Sequence, residues 1–335
     1  MGRKRAASLT RHAALVLQHL TPARVAALSL LLLALLAACG GSEGAPAATA
    51  TPAPASAICS PARPHPPGSS SATITSAGAE RSYLLEVPSS YTGAEALPLV
   101  FNFHGFGSTA AEQALYSGFP AKGNAEGFFV VTPQGSGDPA FWNSPGNMLL
   151  ADDVTFVAEL LDELEAQLCI DSHRVYATGI SNGAAMSIRL ACRLPERIAA
   201  VSGVAGVFLP RSCGPISVLS FHGTADPVVP YNGGPITAGL SLRYNLEAPP
   251  VGQAMGQWST QNGCTGAVSE QVTEHVMHLV YMNCPSGIAV ELYRIEGGGH
   301  TWPGAAIDVP LLGETTREIN ATDLIWDFFV AHPLP

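Results

Sequence analysis

The chain has 335 residues, 47% of them hydrophobic and 13% charged, with 34 Gly and 27 Pro. Such a composition excludes a disordered or fibrous chain and predicts a large apolar core crossed by many loops. The net charge is −10, and five cations (Arg3, Lys4, Arg5, Arg11, Arg24) lie in the first 38 residues with no acid among them, so the remainder carries −15. A protein that binds a nucleic-acid backbone is not expected from that balance.

Residues 25–38, VAALSLLLLALLAA, form an uninterrupted apolar run behind the basic stretch, too short to span a bilayer comfortably but of the right length for the apolar core of an export signal. The run ends in Leu36-Ala37-Ala38-Cys39. This tetrapeptide resembles a bacterial lipobox, which implies a signal peptide over 1–38, acylation of the Cys39 thiol and attachment to a membrane through that lipid; an ordinary small-residue cleavage site is the alternative. Residues 39–72 are mostly Ala, Pro, Ser, Thr and Gly, which bury too little apolar area to offset chain entropy, and read as a tether before a folded domain over 73–335. A bridge from Cys59 to that domain would end the tether earlier.

Seven cysteines are an odd number, and assigning Cys39 to lipid leaves six for three disulfides in an exported chain. Cys264 with Cys284 ranks first, since each lies beside an Asn or Gly turn with the strand-like run EHVMHLVYM between them. Cys192 with Cys213 follows, and Cys59 with Cys169 remains by elimination. No CxxC pair has a matching partner, and His275 and His278 would face opposite sides of a strand, so no metal site is expected.

In chain order, SYLLEV (82–87), LVFNFH (99–104), FFVVTP (128–133), RVYATG (174–179) and SVLSFH (217–222) predict strands. Between them, a helix opens at Asp152-Asp153, with Val157, Leu160, Leu161, Leu164 and Leu168 at helical spacing; the two aspartates read as a cap rather than a catalytic pair. A last helix starts near Asn320-Ala321-Thr322, where the N-cap reading outweighs a glycosylation sequon. Strands alternating with helices predict an α/β fold with a mostly parallel sheet covered on both faces and ligands at the C-terminal strand ends.

At such an end RVYATG runs into Gly179-Ile180-Ser181-Asn182-Gly183 and then an apolar helix. The bare G-x-S-x-G pentapeptide is weak evidence; the strand before it and the helix after it give the context of a nucleophile elbow, with the Ser181 hydroxyl above the sheet. A hydroxyl needs a base to become a nucleophile, and the order serine, acid, histidine is completed by Asp226, after SVLSFH, and by His300, in GGGHTWPG after the strand AVELYRI. Asp226 would hold the imidazole tautomer, and His300 would act as base and then acid. The stretch Phe103-His104-Gly105-Phe106-Gly107 suits an oxyanion loop, with the Phe106 and Asn182 N–H groups as donors and His104 as a structural residue. Trp142 and Trp302 are candidates for flat apolar walls of a substrate pocket, with ordinary packing as the alternative.

The segments RSYLLEVPSSY, HGFG, DDVTFV, CIDSHRVYATGISNGAAM, HGTADPVVPYNGG, NGC and GGGHTWPG resemble, in order, carbohydrate esterase family 1, which includes feruloyl esterases and polyhydroxybutyrate-depolymerase-like enzymes. The resemblance runs from about Arg81 to the C-terminus, and departs at Ala184, where many relatives have a third glycine. It implies an α/β-hydrolase fold, no cofactor, and the triad Ser181, Asp226 and His300. The resulting expectation is an exported, lipid-anchored serine esterase acting through an acyl-enzyme on hydroxycinnamoyl esters of plant polysaccharide. Hydroxyalkanoate oligomers are the second substrate class, and an acyltransferase or a non-catalytic binding lipoprotein the alternatives of another kind.

Overall fold

The computed structural model describes residues 57–335, apart from 208, 210–212, 240–244 and 286. The expected signal peptide, Cys39 and the first part of the expected tether lie outside the described residues. Among the described residues no helix is long and apolar enough to cross a membrane.

The strands, in chain order, are β1 (Gly68–Ser76), β2 (Ala79–Val87), β3 (Leu97–Phe103), β4 (Phe129–Pro133), β5 (Ile170–Gly179), β6 (Ala200–Val204), β7 (Ser217–Gly223), β8 (Gly234–Pro235), β9 (Glu247–Ala248), β10 (Ala267–Gln271), β11 (Val276–Tyr281) and β12 (Val290–Ile295). Ten form one sheet in the order β1-β2-β4-β3-β5-β6-β7-β12-β11-β10, while β8 and β9 pair separately. The centre, from β4 to β12, is parallel, and both flanks are antiparallel.

Composition explains which strands lie where. β4 (FVVTP), β6 (AVSGV) and β7 (SVLSFHG) are buried at every position, as central parallel strands covered on both faces require. The helices that cover them are α1 (Ala110–Ser117), α2 (Phe119–Glu126), α3 (Asp153–Gln167), α4 (Asn182–Arg193), α5 (Val251–Gln261) and α6 (Ala321–Ala331). Two apolar clusters result, one containing Leu160, Leu164, Met186 and Trp258, and a second containing Phe119, Tyr176, Trp302 and Phe329. At the start of α3, Asp152 is the N-cap and accepts from the Thr155 N–H. Asn320 caps α6 in the same way, accepting from Thr322 and Asp323 N–H groups.

The folded body begins earlier than the expected boundary at residue 73. β1 opens at Gly68 and pairs antiparallel with β2 along nine residues, and Cys59 is bridged to Cys169. The polar run GSSSATITS reads as a tether from composition, yet an edge strand needs only its backbone bonds and one half-apolar face, here Ala72 and Ile74 against the core. The other bridges join Cys192 to Cys213 and Cys264 to Cys284, the two pairs ranked highest from the sequence, and Cys59–Cys169 is the pair left by elimination. In the chain-entropy account, closing the loop between Cys59 and Cys169, a separation of 110, stabilises the fold by about 4–5 kcal/mol.

One buried ion pair ties sheet to helix. Arg81 of β2 donates to Asp153 of α3 at 2.7 Å, with side-chain exposures of 8% and 1%, and its guanidinium lies 4.0 Å from the Phe156 ring centroid. The other Asp153 oxygen accepts from the Asn143 N–H at 2.7 Å. Removing the cation alone strands a buried carboxylate. Arg81→Met is therefore expected to lower the unfolding free energy by about 3–5 kcal/mol, and Arg81→Met with Asp153→Asn to recover part of that loss; urea denaturation of the two variants measures both.

Candidate active site

The chain turns from β5 into α4 through Ser181, whose backbone has φ 56° and ψ −117°. A non-glycine residue is strained there and persists only where its surroundings over-determine it. The surroundings are backbone: a Cβ on Gly183 would lie 2.2 Å from the Phe103 carbonyl oxygen, and one on Gly179 2.5 Å from the same atom. Only glycine lets the turn sit this close to the end of β3. The Ser181 N–H donates to Val204 O at 2.8 Å and Gly183 N–H to Ile180 O at 2.8 Å, which pin the turn on both sides. Asn182 opens α4, where a first-turn N–H has no partner within its own helix.

Two loops at neighbouring strand ends carry the acid and the imidazole. Thr224 N–H donates to Ile295 O at 2.8 Å and Ala225 N–H to Gly298 O at 3.0 Å, so the segments after β7 and β12 are stitched backbone to backbone. His300 Nδ1 and Asp226 Oδ2 are 2.8 Å apart, with both residues buried. Asp226 Oδ1 accepts from the Val228 and Val229 N–H groups, each at 2.8 Å. Burial alone would push the Asp226 carboxyl up, but hydrogen bonds from His222 and His300 hold it well below the usual carboxylate range. The carboxylate is thus ionised and acceptor-only, which fixes His300 with its proton on Nδ1 and Nε2 free as a base.

His222 was not singled out in the sequence, although its spacing of four from Asp226 at a strand end was available as a signal. Its Nε2–H donates to Val229 O at 2.9 Å and lies 3.4 Å from Asp226 Oδ2, so it buttresses the acid loop.

His104, just after β3, is fully buried. Its Nε2 accepts from the Gly135 N–H at 2.9 Å, which leaves the proton on Nδ1 for Gly105 O at 2.7 Å. Burial pushes the imidazole down, as suits a neutral structural histidine. Gly107 N–H donates to Ala140 O at 2.7 Å, tying the Phe106 loop to the opposite wall.

A cleft of about 470 Å³ opens over Ser181, bordered by Phe106, Phe141, Asn182, Val229 and Arg189 among others. The rings facing it are Phe106 and Phe141, with centroids 6.3 Å apart. Trp302 is not a wall of this cleft: it is 1% exposed, donates through Nε1 to Thr322 Oγ1 at 3.0 Å and packs edge-on against Phe119. Trp142 does border the cleft, but it has no exposed surface, its Nε1 donating to His104 O at 2.9 Å and its ring edge-on to Phe103. Each indole finds both its apolar contacts and its one acceptor inside the protein, so neither ring is left for a ligand. Trp142 contributes through its backbone: its N–H donates to Asn182 Oδ1 at 2.7 Å and its carbonyl accepts from Asn182 Nδ2 at 3.0 Å. His275 and His278 are engaged elsewhere, by Glu318 and Glu291.

A serine on a strained elbow at a cleft, with N–H groups beside it and an acid–imidazole pair on loops at neighbouring strand ends, can carry acyl transfer through a covalent ester. The pattern of the family described as Esterase PHB depolymerase matches residues 81–233, a span that includes Ser181 and Asp226. Over 92% of its length the chain is 31% identical to "Putative esterase NocK" of Nocardia uniformis subsp. tsuyamanensis, covering 98% of that protein. It is 32% identical to "Feruloyl esterase B" of Piromyces equi over 66% of this chain and 42% of that one. Among solved structures, an acetyl xylan esterase from Aspergillus awamori superposes with a TM-score of 0.56 over 78% of this chain and 99% of that chain at 15% identity, a likeness of fold.

Because Asp226 titrates below its ordinary value of 3.8 in the folded protein, the stability it contributes is complete above that pH and is lost as pH falls below it. Asp226→Asn is expected to be less stable than the parent at pH 6, with the gap narrowing at pH 3; urea midpoints at the two pH values measure it. Gly183→Ala, which drives a methyl group into the Phe103 carbonyl, is expected to abolish activity and to lower the thermal midpoint.

Proposed function

The chain belongs to the α/β-hydrolase family of polyhydroxybutyrate-depolymerase-like and feruloyl esterases and is a carboxylic ester hydrolase; from that premise we propose that Ser181, Asp226 and His300 are its catalytic triad and that a hydroxycinnamoyl ester is its substrate. His300 Nε2 takes the Ser181 hydroxyl proton as Oγ bonds to the ester carbonyl carbon, and the carbonyl oxygen becomes an oxyanion held by the Phe106 and Asn182 N–H groups. The tetrahedral centre collapses with cleavage of the carbon–oxygen bond to the alcohol, which leaves with the proton from His300. Water then gives its proton to His300 and attacks the acyl-serine. A second collapse releases the acid and returns the proton to Ser181. Asp226 stays ionised throughout and stabilises the imidazolium.

The observation that carries this reading is the 2.8 Å His300–Asp226 contact on loops at the same sheet edge as the strained Ser181 turn. The flat aromatic acid is supported by the Phe106 and Phe141 rings bordering the cleft and by the relatives named feruloyl esterases. Hydroxyalkanoate oligomers are the second reading, favoured by the family pattern over 81–233. Three disulfides suit an oxidising compartment, and we assign the lipobox-like Cys39 as the lipid anchor of an exported enzyme.

Ser181→Ala is expected to lower kcat on methyl ferulate by at least about 10³-fold with the fold retained by circular dichroism; full activity in that variant would overturn the nucleophile. On the parent enzyme, a preference of about a hundredfold for methyl ferulate over a 3-hydroxybutyrate oligomer, roughly 2.7 kcal/mol, is the expected outcome, and the reverse preference would assign the enzyme to the polyester.

A further inference from the structure

The cleft does not end at the aromatic rings. It continues along α4, the helix that starts beside Ser181, and is bordered by Ala185, Ile188, Arg189, Cys192 and Arg193. Those positions recur at three and four residues and therefore form one face of the helix. At 1.5 Å per residue, Arg189 and Arg193 stand about 12 and 18 Å along the axis from the serine.

Two cations at this place are unusual for the chain. Among the described residues every other Lys and Arg is in an ion pair, save Arg63, which donates to the Glu165 and Leu168 carbonyls. Arg189 and Arg193 are in none, and they lie four apart on a helix, where like charges repel. Burial and then the Arg193 charge disfavour the Arg189 cation, against weaker support from Asp152 and Asp153. Among the described residues lining the cleft the one acid is the exposed Glu247.

Arg189 lies against the loop that carries Ser144 and Gly146. A Cβ on Gly146 (φ +74°) would lie 2.2 and 2.4 Å from its two terminal nitrogens, so the guanidinium packs directly on the Gly146 backbone. Its Nη1 reaches Ser144 O at 3.5 Å, and Asn182 Nδ2 holds Ser144 Oγ at 3.3 Å. The same loop is clamped at Asn143 by Asp153. A cation on the cleft wall, beside a second one, in no ion pair and with only the weaker support of Asp152 and Asp153, is placed to meet an anion from outside.

We propose that the substrate carries a carboxylate remote from the reacting carbonyl, and that Arg189 and Arg193 bind it. The inference rests on the ester-hydrolase site at Ser181. A carboxylate at that distance is found on a uronic acid of a polysaccharide and at the free acid end of a hydroxyalkanoate oligomer.

Two matched pairs of esters distinguish the sources: feruloylated oligosaccharides with and without a glucuronic acid, and a 3-hydroxybutyrate trimer as free acid and as its neutral terminal amide. At low ionic strength at least one acidic member is expected to have kcat/KM about tenfold above its neutral partner, and the pair that shows it names the source. That ratio should shrink at high salt, where charges about 10 Å apart are screened, and should fall about tenfold in the Arg189→Gln, Arg193→Gln double variant. Because the readout is a ratio, a general loss of folding or turnover does not mimic it. Ratios near one for both pairs in the parent, or a ratio left unchanged in the double variant, would overturn the proposal while hydrolysis of methyl ferulate upholds the esterase reading. Failure to hydrolyse methyl ferulate as well as all four esters would overturn both.

Discussion

The site depends on one close approach of backbones. The turn after β5 presses against the last carbonyl of β3 at distances that exclude a side chain at Gly179 or Gly183, and this contact holds Ser181 at a positive φ. Relaxing it would return the serine to an ordinary conformation and move its hydroxyl off the sheet edge. It would also move Asn182, and with it the first N–H of α4 and the amide that bonds both backbone groups of Trp142. The proposed nucleophile, a proposed oxyanion donor and one cleft wall are therefore set by a single turn.

Electrostatics complete what the turn begins. Asp226 sits in an apolar edge of the sheet, where an ionised carboxylate is unfavourable unless its lone pairs are used. Here they are used by two backbone N–H groups and two imidazoles. The same bonds that make the charge tolerable orient His300, so the cost of burying the acid is offset by contacts that also define the tautomer of the base. The proposed anion seat follows a different logic: Arg189 and Arg193 are in no ion pair among the described residues, and the loop at Gly146 packs on one of them beside the cleft along α4.

The strands β2, β3, β4, β5, β7 and β12 were legible because each signal was local, a hydrophobic run with a turn at its end, whereas the short central strand β6 (AVSGV), with Ser and Gly inside it, was not. The disulfide pair Cys264–Cys284 was legible from the turns and the strand between them, while Cys59–Cys169 came only by elimination. The two tryptophans were not legible. A tryptophan next to a catalytic residue can turn toward the ligand or toward the core, and what decides is an acceptor far along the chain, Thr322 for Trp302 and His104 for Trp142. β1 was missed because Ser and Thr dominate it, while its stability comes from pairing with β2 and from only two apolar side chains. Arg189 and Arg193 were visible as a helical repeat, but an amphipathic helix with basic residues on one face ordinarily reads as a solvent face; their role emerges only with the cleft beside them.

The bridge between Cys59 and Cys169 also determines how force enters the molecule. Tension applied through the residues before Cys59 passes covalently to Cys169, at the junction of α3 and β5 in the middle of the fold. The edge strand β1, which would otherwise be the first element to be peeled from the sheet, lies between the two cysteines in sequence and so outside the line of tension. An enzyme held at its N-terminus in flowing medium would thus be pulled by its interior rather than unzipped from its edge.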